Sequence, residues 1–196
     1  MKRALVILPA FALGLGLAFS ACGDIPIRKS LPDHILRVSI PVFENRSDQP
    51  GIENELTRRT VQDFIVDGRV MVGSREQSQG ELRGIIQRYD RIVLTRDANQ
   101  VPQQYKLQIL VDVDFVDLSD GKETLLWTTR PPFSLTPGVE MTREDFDSTN
   151  TRSLREFTNY YVLNVAGVPP EDEATATERL LDQMSRRIVR RALEGF

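Results

Sequence analysis

The chain has 196 residues, of which 40% are apolar and 27% charged, with 25 Lys and Arg against 28 Asp and Glu and a formal charge of −3 at pH 7. That composition fits one globular domain and excludes a chain disordered throughout. The acidic balance excludes a general nucleic-acid binder, which needs excess positive charge to displace counterions from phosphates, and the single cysteine, Cys22, excludes an intramolecular disulfide.

Lys2 and Arg3 precede an uncharged stretch of 16 residues, Ala4 to Phe19, followed by the small residues Ser20 and Ala21. Pro9, Gly14 and Gly16 interrupt the stretch, and it falls short of the roughly 20 residues a spanning helix requires. Residues 1–21 therefore read as a signal peptide. Without Lys2 and Arg3 the basic count falls from 25 to 23 against 28 acidic residues, a formal charge of −5.

Phe19-Ser20-Ala21-Cys22 resembles the bacterial lipobox, in which the cysteine thiol receives a diacylglycerol and becomes the new N-terminus. Phe19 departs from the usual Leu. An ordinary secretory cleavage site with an incidental cysteine is the alternative. Gly23 stands where an inner-membrane retention signal places Asp, so the resemblance implies sorting to the outer membrane. Residues 22–33, with Pro26 and Pro32, read as an acylated tether, and residues 34–196 as a single domain.

Ile35 to Phe43 alternates, with Leu36, Val38, Ile40 and Val42 on one face, and predicts a strand that Pro41 confines to an edge or an end. Ser47 or Asp48 is placed to cap a helix whose first turn holds Pro50. Its apolar stripe is Ile52, Leu56, Val61, Phe64 and Ile65, and Gly68 ends it. A short strand at 69–73 follows, so strand, helix and strand suggest a parallel crossover. Residues 81–95 predict a long strand bent or bulged near Gly84.

Residues 104–117 give the clearest strand. Tyr105, Leu107, Ile109, Val111, Val113 and Phe115 share one face, and Lys106, Gln108, Asp112 and Asp114 lie mostly on the other, which is expected to be wet. Asp120-Gly121 signals a hairpin turn into a strand at 124–129. Residues 130–170 hold several prolines and read as a possible insertion, with a short helix expected over 151–164. The last segment predicts a helix with acidic residues at its start and Arg186, Arg187, Arg190 and Arg191 near its end, as the helix dipole favours. The expected fold is α+β, a two-layer sandwich of two long helices on one face of a mainly four-stranded mixed sheet.

No catalytic constellation is present. The only histidine, His34, lies beside the tether and reads as an exposed polar residue, and no G-x-S-x-G elbow or phosphate-cradling glycine loop occurs. Asp112, Asp114, Asp117 and Asp120 do not have the spacing of a calcium loop and read as a solvated strand face and turn. No metal and no cofactor is expected. Arg186 with Arg190, and Arg187 with Arg191, stand at i, i+4 spacing, where paired guanidinium groups suit an anionic glycolipid phosphate; a solvated helix end is the plainer reading. Arg83, Arg88, Arg91, Arg96 and Lys106 offer a second basic patch if the strand register brings them together.

Cys22-Gly23, the segment Ile40-Pro41-Val42-Phe43-Glu44-Asn45-Arg46-Ser47, then Pro50-Gly51-Ile52-Glu53, Phe64 to Arg69, Gln104-Tyr105-Lys106-Leu107 and the terminal helix together resemble the lipopolysaccharide-assembly lipoprotein family, LptE. The resemblance implies two helices on a mainly four-stranded sheet and no enzymatic activity. It also implies a role as plug and assembly factor inside a large outer-membrane β-barrel translocon that delivers lipopolysaccharide to the cell surface. The implied location is the outer membrane, lipid-anchored, on the periplasmic side or in the barrel lumen. A periplasmic scaffold or secretion-pore adaptor is the alternative, because similar strand motifs occur in other envelope lipoproteins.

Overall fold

The computed structural model describes residues 31–130, 153–163 and 169–194. The expected signal peptide, Cys22, all but the last three tether residues, and residues 131–152 of the expected insertion lie outside the described residues.

In chain order the elements are β1 (Arg37–Ser39), β2 (Glu44–Asn45), α1 (Ile52–Asp67), β3 (Met71–Val72), β4 (Gly80–Arg96), β5 (Pro102–Asp117), β6 (Thr124–Thr128), β7 (Leu154–Tyr161) and α2 (Glu173–Glu194). β4 and β5 pair antiparallel over almost their whole length, from Gly80 opposite Asp117 to Arg96 opposite Pro102. Asp97 closes their turn: its carboxylate accepts the N–H groups of Asn99 and Val101, each at 2.8 Å, and Gln100 takes φ 65°. β1 runs parallel to β3 and to the start of β4, and β2 pairs further along β4, at Ile85 and Ile86. β6 pairs with residues 114–117 of β5 and β7 with residues 104–111. Two short strands thus share one edge of β4 and two share one edge of β5, which places six of the seven segments in four strand positions, with the two-residue β3 added outside β1.

Alternation makes the core. Leu107, Ile109, Val111, Val113 and Phe115 of β5 are fully buried, with Leu82 and Ile86 of β4 beside them. The helices cover this face through Ile52, Leu56 and Phe64 of α1 and Leu180, Leu181, Met184 and Ile188 of α2. Each such side chain contributes about 1.5–3 kcal/mol of apolar burial. This is the expected two-layer α+β arrangement. Gly68 ends α1 in the left-handed conformation, φ 72°, its N–H donated to Phe64 O. Asp172 starts α2 by accepting the Thr175 N–H at 2.7 Å.

Several expectations are corrected. The strand expected over 35–43 is split. Leu36 and Val42 are both 62% exposed and only Val38 of that face is fully buried, because Pro41 breaks the ladder. Phe43 then turns inward, its N–H donated to Thr57 Oγ1 at 3.0 Å. Gly84 is not a bulge; a Cβ there would stand 2.6 Å from a Phe43 ring carbon, so glycine admits the ring, and the nearest register shift falls between Ile86 and Arg88. The cap of α1 is Gly51 at φ 87°, with Pro50 outside the helix. The preceding turn is held by Asn45, whose amide donates to Gln49 O and Glu53 Oε2, both at 2.8 Å, and whose oxygen accepts the Ser47 N–H at 2.9 Å.

In α1, Thr57 and Thr60 are buried where Val61 and Ile65 were expected. Their hydroxyls donate to the carbonyls of Glu53 and Leu56, so their burial leaves no polar group unpaired. The helix expected over 151–164 is the strand β7. Leu154, Thr158 and Tyr160 alternate inward, and the open edge of β5 takes them as a ladder partner. Replacing Gly84 by Ala is expected to destabilise the fold by about 1–3 kcal/mol, read from urea unfolding, because the Phe43 ring must leave its place.

Candidate functional site

The four arginines of the terminal helix do not form one cluster. Arg186 pairs with Asp182 one turn back at 2.5 Å, and Arg187 reaches β7, where it meets Glu156 at 2.6 Å and the Arg155 carbonyl at 2.9 Å. Arg190 is exposed and has no carboxylate partner among the described residues, whereas Arg191 is half-buried. The helix end is therefore largely neutralised, with its positive charge centred on Arg190.

The second basic patch does not converge either. Arg83 pairs with Glu81 at 2.5 Å and Glu123 at 2.9 Å, and Arg88 with Asp90 at 2.7 Å. Arg96 donates to the Gln100 carbonyl at 2.9 Å and so braces the β4–β5 turn. Lys106 lies 5.4 Å from the centre of the Phe157 ring. Arg91 stands on the helix-covered side of β4, bound to Glu173 at 2.6 Å and 5.2 Å from the centre of the Tyr105 ring.

Around Arg91 lies an arrangement that sequence reading missed. Tyr105 stacks on Tyr160 at 5.4 Å, Tyr160 donates to Glu173 at 3.4 Å, and the Tyr89 hydroxyl sits 2.8 Å from Thr177 Oγ1. Burial, with Glu173 adding to it, pushes the Tyr160 phenol up to about 12. An open cleft of about 310 Å³ beside this group is lined by Asp48, Gln49, Tyr89, Arg91 and Glu173. The signal was present: the β4–β5 register places Arg91 opposite Leu107 and Val93 opposite Tyr105. A hairpin turn fixed at Asp97 would have brought the tyrosines and the arginine together.

Asp112 and Asp114 correct a further expectation, since they are only 3% and 8% exposed rather than lying on a solvated face. Gln87 donates to Asp112 at 2.7 Å and Ser153 at 2.6 Å; Thr128 donates to Asp114 at 2.6 Å and Arg130 pairs with it. These groups sit where the chain leaves the edge of β5 at the end of β6, at Thr129, whose N–H is donated to Val113 O at 2.9 Å, and where it rejoins that edge at Ser153. Burial pushes the Asp112 carboxyl above its ordinary range against those two hydrogen bonds. Asp117, by contrast, meets His34 at 2.7 Å. Among the described residues no group of three or more His, Cys, Asp or Glu side chains is placed to hold a metal ion.

Most of these polar groups are engaged with a partner, either within one element or between a strand and its neighbours. The class so defined is a compact two-layer α+β module that works through its surface. The chain belongs to the LptE lipopolysaccharide-assembly family, which matches residues 35–192. That family consists of assembly lipoproteins without enzymatic activity, working in lipopolysaccharide transport at the outer membrane, and the chain is not an enzyme.

No curated protein matches the chain by sequence. Among solved structures, rare lipoprotein B from Shewanella oneidensis is similar at 15% identity and TM-score 0.40, covering 80% of this chain and 89% of its own. A minor lipoprotein from Acinetobacter baumannii is similar at 15% identity and TM-score 0.45, covering 82% and 92%. Protein XCC0632 from Xanthomonas campestris is similar at 13% identity and TM-score 0.49, covering 79% and 81%.

Asp112 gives a test by pH. Below the ordinary aspartate range both folded and unfolded chains hold the proton. As pH rises the unfolded chain releases it first, so the folded state binds more protons and stability falls until the raised folded value is passed. Asp112→Asn is expected to remove that fall, read from urea unfolding as pH is raised through and above the ordinary carboxylate range. Asp112→Ala, which strips Gln87 and Ser153 of their acceptor, is expected to cost about 1–3 kcal/mol.

Proposed function

We propose that the chain is acylated on Cys22 after loss of residues 1–21, held at the periplasmic face of the outer membrane, and inserted as a plug into the lumen of a large β-barrel that delivers lipopolysaccharide. The match of residues 35–192 to the lipopolysaccharide-assembly family carries this reading. Physical fit supports it. A wide barrel encloses a water-filled interior that must be obstructed, and a compact domain meets the need without chemistry. Acyl chains anchored in the same membrane as the barrel hold the plug at high effective concentration, and two or more chains make the anchor long-lived.

The anionic glycolipid is placed, in the same proposal, at Arg186, Arg187, Arg190 and Arg191. Arg190 has no carboxylate partner among the described residues, while Arg186 and Arg187 would exchange Asp182 and Glu156 for phosphate. The exchange replaces one charge-assisted contact by another.

Two measurements check the reading. The protein purified from detergent-solubilised outer membranes is expected to carry a large β-barrel partner and to be crosslinked to it; a stable complex lacking the barrel counts against the plug. Arg186→Glu combined with Arg190→Glu is expected to weaken salt-sensitive binding of lipopolysaccharide about tenfold, read by titration at low and moderate salt, while the barrel complex persists.

A further inference from the structure

The outlying strands of the sheet are mostly short or irregular: β2 and β3 have two residues each, and β6 pairs with β5 across a register shift. β7 differs. It runs for eight residues, Leu154–Tyr161, and no further strand among the described residues pairs with its outer side. A regular edge of that kind is a template for pairing with another chain.

The ladder register says which groups point outward. The Val162 N–H donates to the Gln103 carbonyl at 3.1 Å, and the next pair along is Tyr161 opposite Gln104. Antiparallel residues exchange hydrogen bonds in every second pair. Leu154, Glu156, Thr158 and Tyr160 therefore bond to β5, while the N–H and carbonyl groups of Arg155, Phe157, Asn159 and Tyr161 face away from it.

α2 and the residues before it meet that row. Arg187 Nη1 donates to the Arg155 carbonyl at 2.9 Å, Arg179 Nη2 donates to the Asn159 carbonyl at 3.0 Å, and the Glu171 N–H donates to the Tyr161 carbonyl at 2.7 Å. Each guanidinium is held in turn. Arg187 meets Glu156 at 2.6 Å, and Arg179 meets Glu171 and Thr158 Oγ1, both at 3.0 Å. The spacings of helix and strand agree: from Arg179 to Arg187 the helix rises about 12 Å, and from Arg155 to Asn159 the strand rises about 13 Å.

We propose that Arg179 and Arg187 close the outer edge of β7 against pairing with β7 of a second copy of this chain, and so keep the domain single. The second copy is the fitting occupant because the edge is self-complementary. With Phe157 of both copies opposite one another about a two-fold axis, Arg155 faces Asn159, Glu156 faces Thr158, and no like charges meet. The Phe157 side chain, 57% exposed, would gain a ring beside it. The glycolipid exchange proposed above releases Glu156 from Arg187 and leaves the Arg155 carbonyl held.

The test uses the chain from residue 22 onward, which holds every described element, with Cys22→Ser so that neither lipid nor thiol contributes. Analytical ultracentrifugation reads its mass, and this parent is expected to be monomeric. Arg179→Met with Arg187→Met, which keeps the side-chain stems and removes the donors, is expected to form a dimer at concentrations where the parent does not. In that dimer the outward amides of Phe157 and Asn159 should exchange with deuterium about tenfold more slowly. Adding Phe157→Pro, which removes an outward N–H and no bond to β5, should restore the monomer. Should the methionine variant lose its circular dichroism, Arg179→Lys with Arg187→Lys is read by the same criteria, because an ammonium group lacks the fork that reaches a carbonyl and a second partner together. A folded variant that remains monomeric overturns the proposal. So does a dimer that leaves those amides unprotected or survives the proline, which would place the contact elsewhere, and so does a parent already paired through β7. Barrel and glycolipid are absent from every arm, so failure here is separate from failure of the plug reading.

Discussion

The pairing of β4 with β5 is the constraint on which the rest depends. It presents one row of fully buried apolar side chains, Leu107 to Phe115 with Leu82 and Ile86, and both helices bury their stripes against that row. A slip of one residue would turn the row outward and place Lys106, Gln108 and Asp112 under the helices, so the core itself fixes the register. The turn at Asp97 supports the same register through two side-chain hydrogen bonds. Every other strand among the described residues is added to an edge of this pair, β3 by way of β1.

How much of this was legible in the sequence varied with the range of the forces involved. The alternation of β5 and the amphipathic pattern of α2 are local and strong, and they gave the layers and the helix-covered face. The family resemblance drawn from the segments around Phe43-Glu44-Asn45 and Tyr105-Lys106-Leu107 agrees with the family match over residues 35–192. What was not legible depended on partners distant in the chain. Leu154, Phe157, Tyr161 and Val162 sit at helical spacing, yet the unsatisfied edge of β5 outweighs that weak pattern and draws residues 154–161 into the sheet. Asp112 and Asp114 occupy outward positions by alternation, but Gln87, Thr128, Arg130 and Ser153 close over them.

The polar surface follows one logic. Arg83 with Glu123, Arg91 with Glu173, Arg179 with Thr158 and Arg187 with Glu156 tie β4 to the segment entering β6, β4 to α2, and α2 to β7. Exposed pairs of this kind each add little to stability. Their effect is on geometry, since they hold long side chains in place and leave few uncommitted charges. For a module that acts by fitting against a partner, such ties fix the exterior, and Arg190, which has no carboxylate partner among the described residues, stands out from it as a local mark.

The junction between β6 and β7 has a consequence for how this fold can vary. Both half-strands hang on neighbouring residues of β5: Thr129 is hydrogen-bonded to Val113, and Ser153 to Asp112. Whatever lies between departs from and returns to nearly one point, so its length is decoupled from the ladder on either side, and doubling it would cost only about 0.6 kcal/mol in closure entropy. The scaffold therefore carries a built-in port at which descendants of this chain can gain or shed sequence while the sandwich beneath stays the same.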